Sequence, residues 1–596
     1  MGGCGVRRYP PLSHHWEDVL TRSLTTILAA LTALLLAGGA IAADWDLRSD
    51  NWVATDALGR KLPGYKECGP PRKDRYVGIF YFTWHQPGPG PYDITKILRQ
   101  NPENPKWGPV SAFHHWGEPE MGYYLSEDPY VIRKHVMMLS EAGVDTLILD
   151  VTNAFTYTST YIKLCEIMTE LRNEGMRTPQ MMFIAHSHEA RTVQKLYDEF
   201  YSKNLYPDLW FRWQGKPLVL ANPKELSQTL NGFFTVRHSW FARLEWFEDG
   251  KDKWPWLDFV PQEAGWHVKG VPEEVPVGMA THPVANLGRS YSKRTQPPHD
   301  KYDMTPTAGN GIYFAEQFDR ALEIDPQFIF ITGWNEWIAQ RFVGPSQSVA
   351  GNPRKEDGSW FVDQYNQEYS RDAEPMRAGH TDNYYYQMIG YIRKFKGVRP
   401  PEKSSGPKTI KIDGGFSDWA GVRPEFRDPI GDTLHRDYKG WGDLRYTNTT
   451  GRNDIIRTKV AYDKANVYFY AETNAPLTSC RDPYWMLLFI DSDRNPSTGW
   501  KGYDYVVNHP VVNATSTTLK RSTNAWDWKT VRNVSYRAKG NAIEISIPRA
   551  ALGLAGTPVA LDFHWADNIQ KPNDIIEFAV SGDSAPDRRF NYRFEQ

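Results

Sequence analysis

The sequence predicts an α/β barrel of the (β/α)8 TIM type followed by an all-β sandwich. Strand-like apolar runs alternate with helical patterns over the first two thirds of the chain, a breaker-rich stretch follows, and beyond it nearly every apolar segment is short and strand-like. Eight runs in the first part have strand character: 77–84, 146–152, 181–187, 217–221, 233–238, 257–262, 277–282 and 328–334. Between them, 129–142 carries Val131, Ile132, His135, Met138 and Leu139 on one side, and 160–172 and 316–322 have helical spacing too. Eight strands separated by helices close most economically into a parallel barrel. The gaps around Phe233 and Leu257 are short of helix signal, which leaves a distorted barrel or another α/β sheet as the alternative.

The stretch from Lys396 through Arg399, Pro400, Pro401 and Ser404 to Pro407 lacks apolar periodicity and reads as a linker. After it come strand-like runs at 458–462, 467–472, 485–491, 503–507, 542–547 and 559–565, with Gly, Asn and Asp between them, as in a β-sandwich. The expected division is a signal peptide over 1–43, a barrel domain over 44–396, a linker over 397–408 and a sandwich over 409–596.

At the N-terminus, Arg7, Arg8 and Arg22 precede an apolar run from Leu24 to Leu36 and small residues ending in Ala40-Ile41-Ala42. That is the layout of a cleaved export signal, and the run falls short of the roughly 20 apolar residues of a membrane span. The expected location is extracellular or periplasmic, with no stable membrane span. Cys4 leaves with the signal, and Cys68, Cys165 and Cys480 are too few and too scattered for a disulfide framework. The 69 basic and 71 acidic residues give a formal charge of -2, which sets up no field to recruit nucleic acid. Aromatic residues are abundant, with 23 Trp and 32 Tyr, and rings with polar edges suit sugar faces as well as cores.

Polar and aromatic residues recur at the C-terminal ends of the predicted barrel strands, the face where barrels place their active sites. They are Trp84 and His85, Asp150 and Asn153, His186 and His188, His238 and Trp240, Glu263, His282, and Asn335 and Glu336. Glu336 stands between Trp334 and Trp337, and such flanking desolvates a carboxyl group and tunes it for proton transfer. Further on, Asp363, Gln364, Asn366, Gln367, Glu368, Arg371, Asp372 and Glu374 cluster with Tyr365 and Tyr369. In that cluster Glu368 suits hydroxyl recognition and Arg371 has the fork to clamp an acidic sugar. In the last part Trp500 is a candidate sugar-stacking ring. Asp491 and Asp493 alternate as ligands of a structural calcium would, without the twelfth-position Glu of an EF-hand.

Three stretches resemble glycoside hydrolase families 71 and 99, a group that includes endo-α-mannosidases. They are His114-His115-Trp116-Gly117-Glu118-Pro119-Glu120-Met121-Gly122-Tyr123-Tyr124 with Asp128-Pro129, the run Val77-Gly78-Ile79-Phe80-Tyr81-Phe82-Thr83-Trp84, and Ile331-Thr332-Gly333-Trp334-Asn335-Glu336-Trp337. The likeness covers roughly 76–397 and implies that His115, Trp116 and Tyr123 reach the sugar site, with Asn335 and Glu336 as its signature pair. The family 99 pattern has a second glutamate three residues after the first, where this sequence has Ala339 and then Gln340. Hydrolysis of a glycoside normally takes two carboxyl groups. Asp150, Glu263, Glu118 and Glu120 are the replacements at hand, and Asp150 ranks first because Leu147-Ile148-Leu149 delivers it to the strand-end face. The last part resembles family 9 carbohydrate-binding modules through Asp413-Gly414, Asp418-Trp419, Val467-Tyr468-Phe469 and the run from Phe489-Ile490-Asp491-Ser492-Asp493 to Gly499-Trp500 and Tyr503-Asp504-Tyr505. Together these imply a secreted glycosidase acting on a polysaccharide or glycan through Glu336 and Asp150, with no cofactor needed for catalysis. The alternatives are a non-catalytic glycan-binding protein with a degenerate site and a glycosyltransferase-like enzyme. Export is expected to remove the chain up to Ala42 or Ala43, so mass spectrometry of exported protein should find a mature N-terminus there, and Met1 retained would contradict it.

Overall fold

The computed structural model describes residues 45–240, 247, 249–281, 288–293, 295, 307–344, 358–361 and 366–596. The expected signal peptide lies outside the described residues.

The first part is built on strands β1 (Tyr76–Tyr81), β2 (Phe113–His115), β3 (Thr146–Val151), β4 (Gln180–Ala185), β5 (Arg212–Trp213) and β6 (Lys216–Leu220). After these come β7 (Thr235–Arg237), β8 (Glu274–Gly278), β9 (Phe328–Thr332), β10 (Ile338–Val343) and β11 (Ser359–Phe361). Seven of them pair in parallel in the order β7-β6-β4-β3-β1-β9-β8, and β5 joins β6 as a short antiparallel ribbon. Helices α1 (Pro129–Glu141), α2 (Thr158–Asn173), α3 (Glu189–Leu196), α4 (Gln228–Phe233), α5 (Ile312–Ile324) and α6 (Asn383–Lys396) accompany the strands. Helix α1 starts where Asp128 accepts a hydrogen bond from the Tyr130 amide and Pro129 takes the first helical position.

Parallel strands are covered on both faces, so their side chains divide by parity between two cores. Val77, Ile79, Leu147, Leu149, Phe183 and Ile329 pack outward with residues of the helices. Phe80, Phe82, Ile148, Met182, Ile184, Leu218, Leu220, Phe328 and Phe330 point inward, where Trp254, Trp256 and Leu257 fill the space between them.

This half-barrel corrects one expected strand and shifts another, since the run expected at 277–282 is met by β8 at Glu274–Gly278. The stretch 257–262 is a loop, and among the described residues between β7 and β8 isolated bridges stand at His238–Lys253, Lys251–Trp266 and Gly265–Glu274. Pro255 and Pro261 have no N–H for a ladder, and the Trp254 and Trp256 rings turn into the interior instead. The Trp254 indole is anchored there by Glu273, which also accepts from Trp213 and takes a paired contact from Arg237. Over the strand ends lies a three-stranded antiparallel sheet, β11-β10-β2.

From 397 to 412 the chain has neither helix nor strand. The last part holds an antiparallel sheet of eleven strands and, beside it, a two-stranded antiparallel ribbon of Arg436–Lys439 and Arg445–Asn448. Six of these answer the six expected runs: Ile455–Tyr462, Asn466–Thr473, Leu487–Asp491, Tyr505–Asn513, Ala542–Pro548 and Ala560–Asp567. The sheet curls until its ends meet, with the Phe469 and Phe563 rings 5.7 Å apart and Phe426 4.9 Å from Tyr592. Two long strands, Ser516–Asn524 and Asp527–Lys539, were not expected, because their outward residues are exposed and polar.

The two parts are fastened together along a broad seam. Phe590 of the last part packs on Trp52, Tyr385 and Tyr386. Arg588 makes a two-pronged contact with Glu120 at 2.6 and 2.9 Å, both side chains about 6% exposed. Arg436 pairs with Asp128 at the head of α1, its Nε donating to Oδ2 at 2.8 Å. Removing one partner of a buried pair strands the other charge. Arg588→Ala is therefore expected to lose about 3–5 kcal/mol in urea unfolding, and the double variant Glu120→Gln/Arg588→Met less. A single-variant loss under about 1 kcal/mol would contradict this reading.

Candidate functional site

Strand β9 ends at Thr332, and the chain then turns across the mouth of the interior so that Glu336 arrives at the strand-end face. Three contacts fix that turn. The Asn335 amide clamps both backbone groups of Phe82 beyond β1, at 2.8 and 3.1 Å. The segment 371–374 runs alongside, with the Ala373 amide donating to Gly333 and the Glu374 amide to Trp334. Asp372 Oδ1 accepts the Glu336 amide at 2.7 Å.

Glu336 Oε2 then meets Arg371 Nη2 at 2.9 Å, with side-chain exposures of 8% and 2%. Beneath them the Arg371 guanidinium lies 5.6 Å from the centre of the Trp256 ring, a cation–π distance. Trp240 stands edge-on to Trp256, and His186 stacks on Trp240 at 3.4 Å. Carboxylate, guanidinium, two indoles and an imidazole thus form one continuous line, from a nearly buried end at Glu336 to an exposed end at His186.

Asp150, next to last in β3, stands two residues after the inward-facing Ile148, so the strand's parity aims it to the same interior, and Oδ1 accepts the Thr152 amide. Trp84 is half-buried, 6.2 Å from His85 and nearly parallel to it. His85 is buried against Ser126, and burial drives its imidazole down to about 3, so it stays neutral at physiological pH. His115 is likewise buried and held neutral, between Tyr123 and Trp441, while the Tyr123 hydroxyl donates to Asp93.

Several expected site residues stand elsewhere. Trp116 and Trp337 stack on each other with no exposed surface, and Trp334 is equally buried on the outer side against His135 and Tyr385. None of these three offers a face to a sugar. Asn335 spends its amide on Phe82, and Glu368 accepts the amide and hydroxyl of Ser290. Glu263 is exposed beside Gln262, which binds the outer helix α5 through Gln317 and Arg320. Glu118 pairs with Lys96 and Arg377, and Glu120 with Arg588. His282 lies outside the described residues. In the last part Trp500 is 1% exposed in an apolar cluster and cannot stack on a ligand. Trp526 and Trp528 beside it are half-buried. Asp491, Asp493 and Asp504 each place an oxygen within 4.8 Å of the others, and Asp491 is pushed up to about 8 by burial and by Asp562 and Asp504.

Trp256 and Glu189 belong to the site or its support and were not singled out from sequence, while Glu374 was named only as a member of the polar cluster at 363–374. Trp256 was hidden in a run expected to be a strand margin. Glu374 is fully buried and accepts from Tyr124, His135 and Trp337 at 2.5–2.9 Å, a role set by three partners far away in sequence. Glu189, at the start of α3, lies 3.8 Å from His186 and is pushed up to about 7 by burial.

No protein-family model matches the chain, and no curated protein does. Among solved structures it is similar to two of the GH99 endo-alpha-mannosidase from Bacteroides thetaiotaomicron. One, in complex with bis-tris-propane, has 15% identity over 54% of this chain and 97% of that chain, with a TM-score of 0.30. The other has 16% identity over 55% of this chain and 99% of that chain, with a TM-score of 0.32.

Asp372 is fully buried, and desolvation raises its carboxyl to about 6, against Arg289 and Arg371, which lower it. A carboxyl raised in the folded state above its unfolded value of 3.8 costs stability as pH climbs from about 4 to about 6. Asp372→Asn keeps an acceptor for the Glu336 amide and lacks that cost. Over this interval the wild type should lose up to about 3 kcal/mol relative to the variant in urea titrations. Parallel pH profiles would count against the assignment.

Proposed function

We propose that the chain is a glycosidase whose reacting carboxylates are Glu336 and Asp150. The observation that carries the reading is Glu336 beside Arg371 at the head of the line of rings through Trp256 and Trp240 to His186. Indole faces take up the apolar faces of sugar rings, and the guanidinium, a fork of donors, suits hydroxyl or acidic substituents. Arg371 at hydrogen-bonding distance favours Glu336 as the ionised carboxylate, which suits it to act as base or nucleophile rather than as the proton donor. Asp150 then protonates the glycosidic oxygen as the C–O bond to the leaving sugar breaks, and Glu336 attacks the anomeric carbon or draws a proton from attacking water. Of the four replacement carboxylates weighed from sequence, Asp150 has the inward position, while Glu118 and Glu120 are engaged by cations and Glu263 faces out. The substrate class is an extracellular glycan, reached by export of the chain.

A second reading has one observation in its favour. Ala339, where the family pattern has its second glutamate, packs with Ile94, Leu98, Phe361 and Tyr369 in an apolar cluster, so no acid of that pattern is present there. On this second reading the barrel would bind glycan without cleaving it. Glycan screening with the full chain separates the two readings. Turnover that falls about 100-fold or more in both Glu336→Gln and Asp150→Asn, with unchanged circular dichroism, supports the hydrolase. A folded Glu336→Gln with wild-type rates removes Glu336 from the chemistry, and binding without turnover of any bound glycan favours the second reading.

A further inference from the structure

At the seam between the two parts, far from the strand-end face, carboxyl groups converge in a buried space. Asp428, Asp432 and Asp583 each bring an oxygen within 4.8 Å of the other two, and all three are buried. Asp587 joins them from the same side and Glu141, the last residue of α1, from the other. The cations nearby do not balance five carboxylates. Lys134 stands 3.8 Å from both Asp432 and Asp587, beyond hydrogen-bonding distance. Arg133 is directed to Glu174 and the Ile430 carbonyl, Arg588 to Glu120, and Arg589 to Asp382.

The second observation concerns individual oxygens. Oδ2 of Asp428 is buried and has no hydrogen-bond partner among the described residues, and the buried carboxyls of Glu141 and Asp432 face other acids, Asp587 and Asp454, rather than a basic or amide donor. Glu141 is 3% exposed, Asp428 0% and Asp432 4%. Buried carboxyl oxygens without donors are expensive unless a cation meets them. A cavity of about 20 Å³ is lined by Lys134, Asp432, Asp583 and Asp587.

We propose that this seam binds one divalent cation of the calcium type, held by Asp428, Asp432 and Asp583 with Glu141 reaching it from helix α1. Oxygen is the only ligand element on offer, which suits a hard cation, and an irregular set of carboxylates suits calcium better than magnesium, which demands a near-ideal octahedron. Glu141 belongs to the first part and the aspartates to the last, so the ion fastens one to the other. It is a different site from Asp491, Asp493 and Asp504.

The test uses the full chain after chelation with EDTA, titrated with CaCl₂ by calorimetry and followed by thermal unfolding. One binding event at the seam is expected, with a Tm about 3 °C or more higher at 1 mM calcium than in EDTA. Glu141→Gln and Asp432→Asn should each weaken that event by about tenfold or more, and Asp493→Asn should leave it unchanged. The proposal is overturned if the chelated wild type takes up no calcium and melts at the same temperature in EDTA and calcium. It is equally overturned if Asp493→Asn abolishes the response while Glu141→Gln keeps it. Should Asp432→Asn fail to fold, the wild-type titration and Glu141→Gln decide.

Discussion

The arrangement at the strand-end face depends on keeping one charged pair, Glu336 and Arg371, almost out of water at the mouth of an aromatic interior. A buried ion pair recovers its desolvation cost only when its geometry is fixed and its remaining groups are engaged. The surrounding structure supplies that fixing. The Asn335 clamp on Phe82, the Asp372 hold on the Glu336 amide and the alignment of 371–374 along 333–336 leave the carboxylate little freedom. A hydrophobic pair of similar volume would serve stability as well, so the pair's place at the open end of the sheet is what points to chemistry.

Support for that arrangement comes from deeper in the molecule. Glu374, two residues after Asp372, ties the same segment to Tyr124, His135 and Trp337, and His135 passes the contact to the Tyr81 hydroxyl at 3.0 Å. Tyr81 belongs to β1 and His135 to α1, so one buried carboxylate joins the sheet, the first long helix and the segment that carries Arg371. The same helix ends in Glu141 at the seam with the last part. The face that would meet substrate and the interface that holds the chain together are therefore mounted on common elements.

Much of this was legible in the sequence, for reasons that can be traced. Strands β1, β3, β4, β6 and β9 are largely continuous apolar runs because parallel strands are buried on both faces, and helix α1 announces itself through Asp128-Pro129 and its apolar spacing, whereas β8 carries Glu274 and Pro276 and starts three residues before the run expected at 277–282. The run at 257–262 misled because apolar content does not separate a strand from a proline-broken loop that fills an interior. The long exposed hairpin from Ser516 to Lys539 was missed for the opposite reason, since its polar surface erases the two-residue alternation. Glu336 and Asp150 were visible as polar residues at strand ends. Flanking tryptophans were a poor guide to what surrounds Glu336: Trp334 and Trp337 turn away into cores, and Trp256, some eighty residues earlier, provides the ring beneath its partner. Pairings of that kind are set by long-range closure of the chain, which no local pattern records.

The central claim is that sugar is engaged where the Glu336–Arg371 pair meets the Trp256, Trp240 and His186 rings. A crystal structure of Glu336→Gln with an oligosaccharide that the protein binds tests it most directly. The account predicts a sugar ring against Trp240 or Trp256, with a hydroxyl or the glycosidic oxygen within hydrogen-bonding distance of Gln at 336 and of Asp150. A sugar found only on the last part of the chain, with the strand-end face empty, would contradict it.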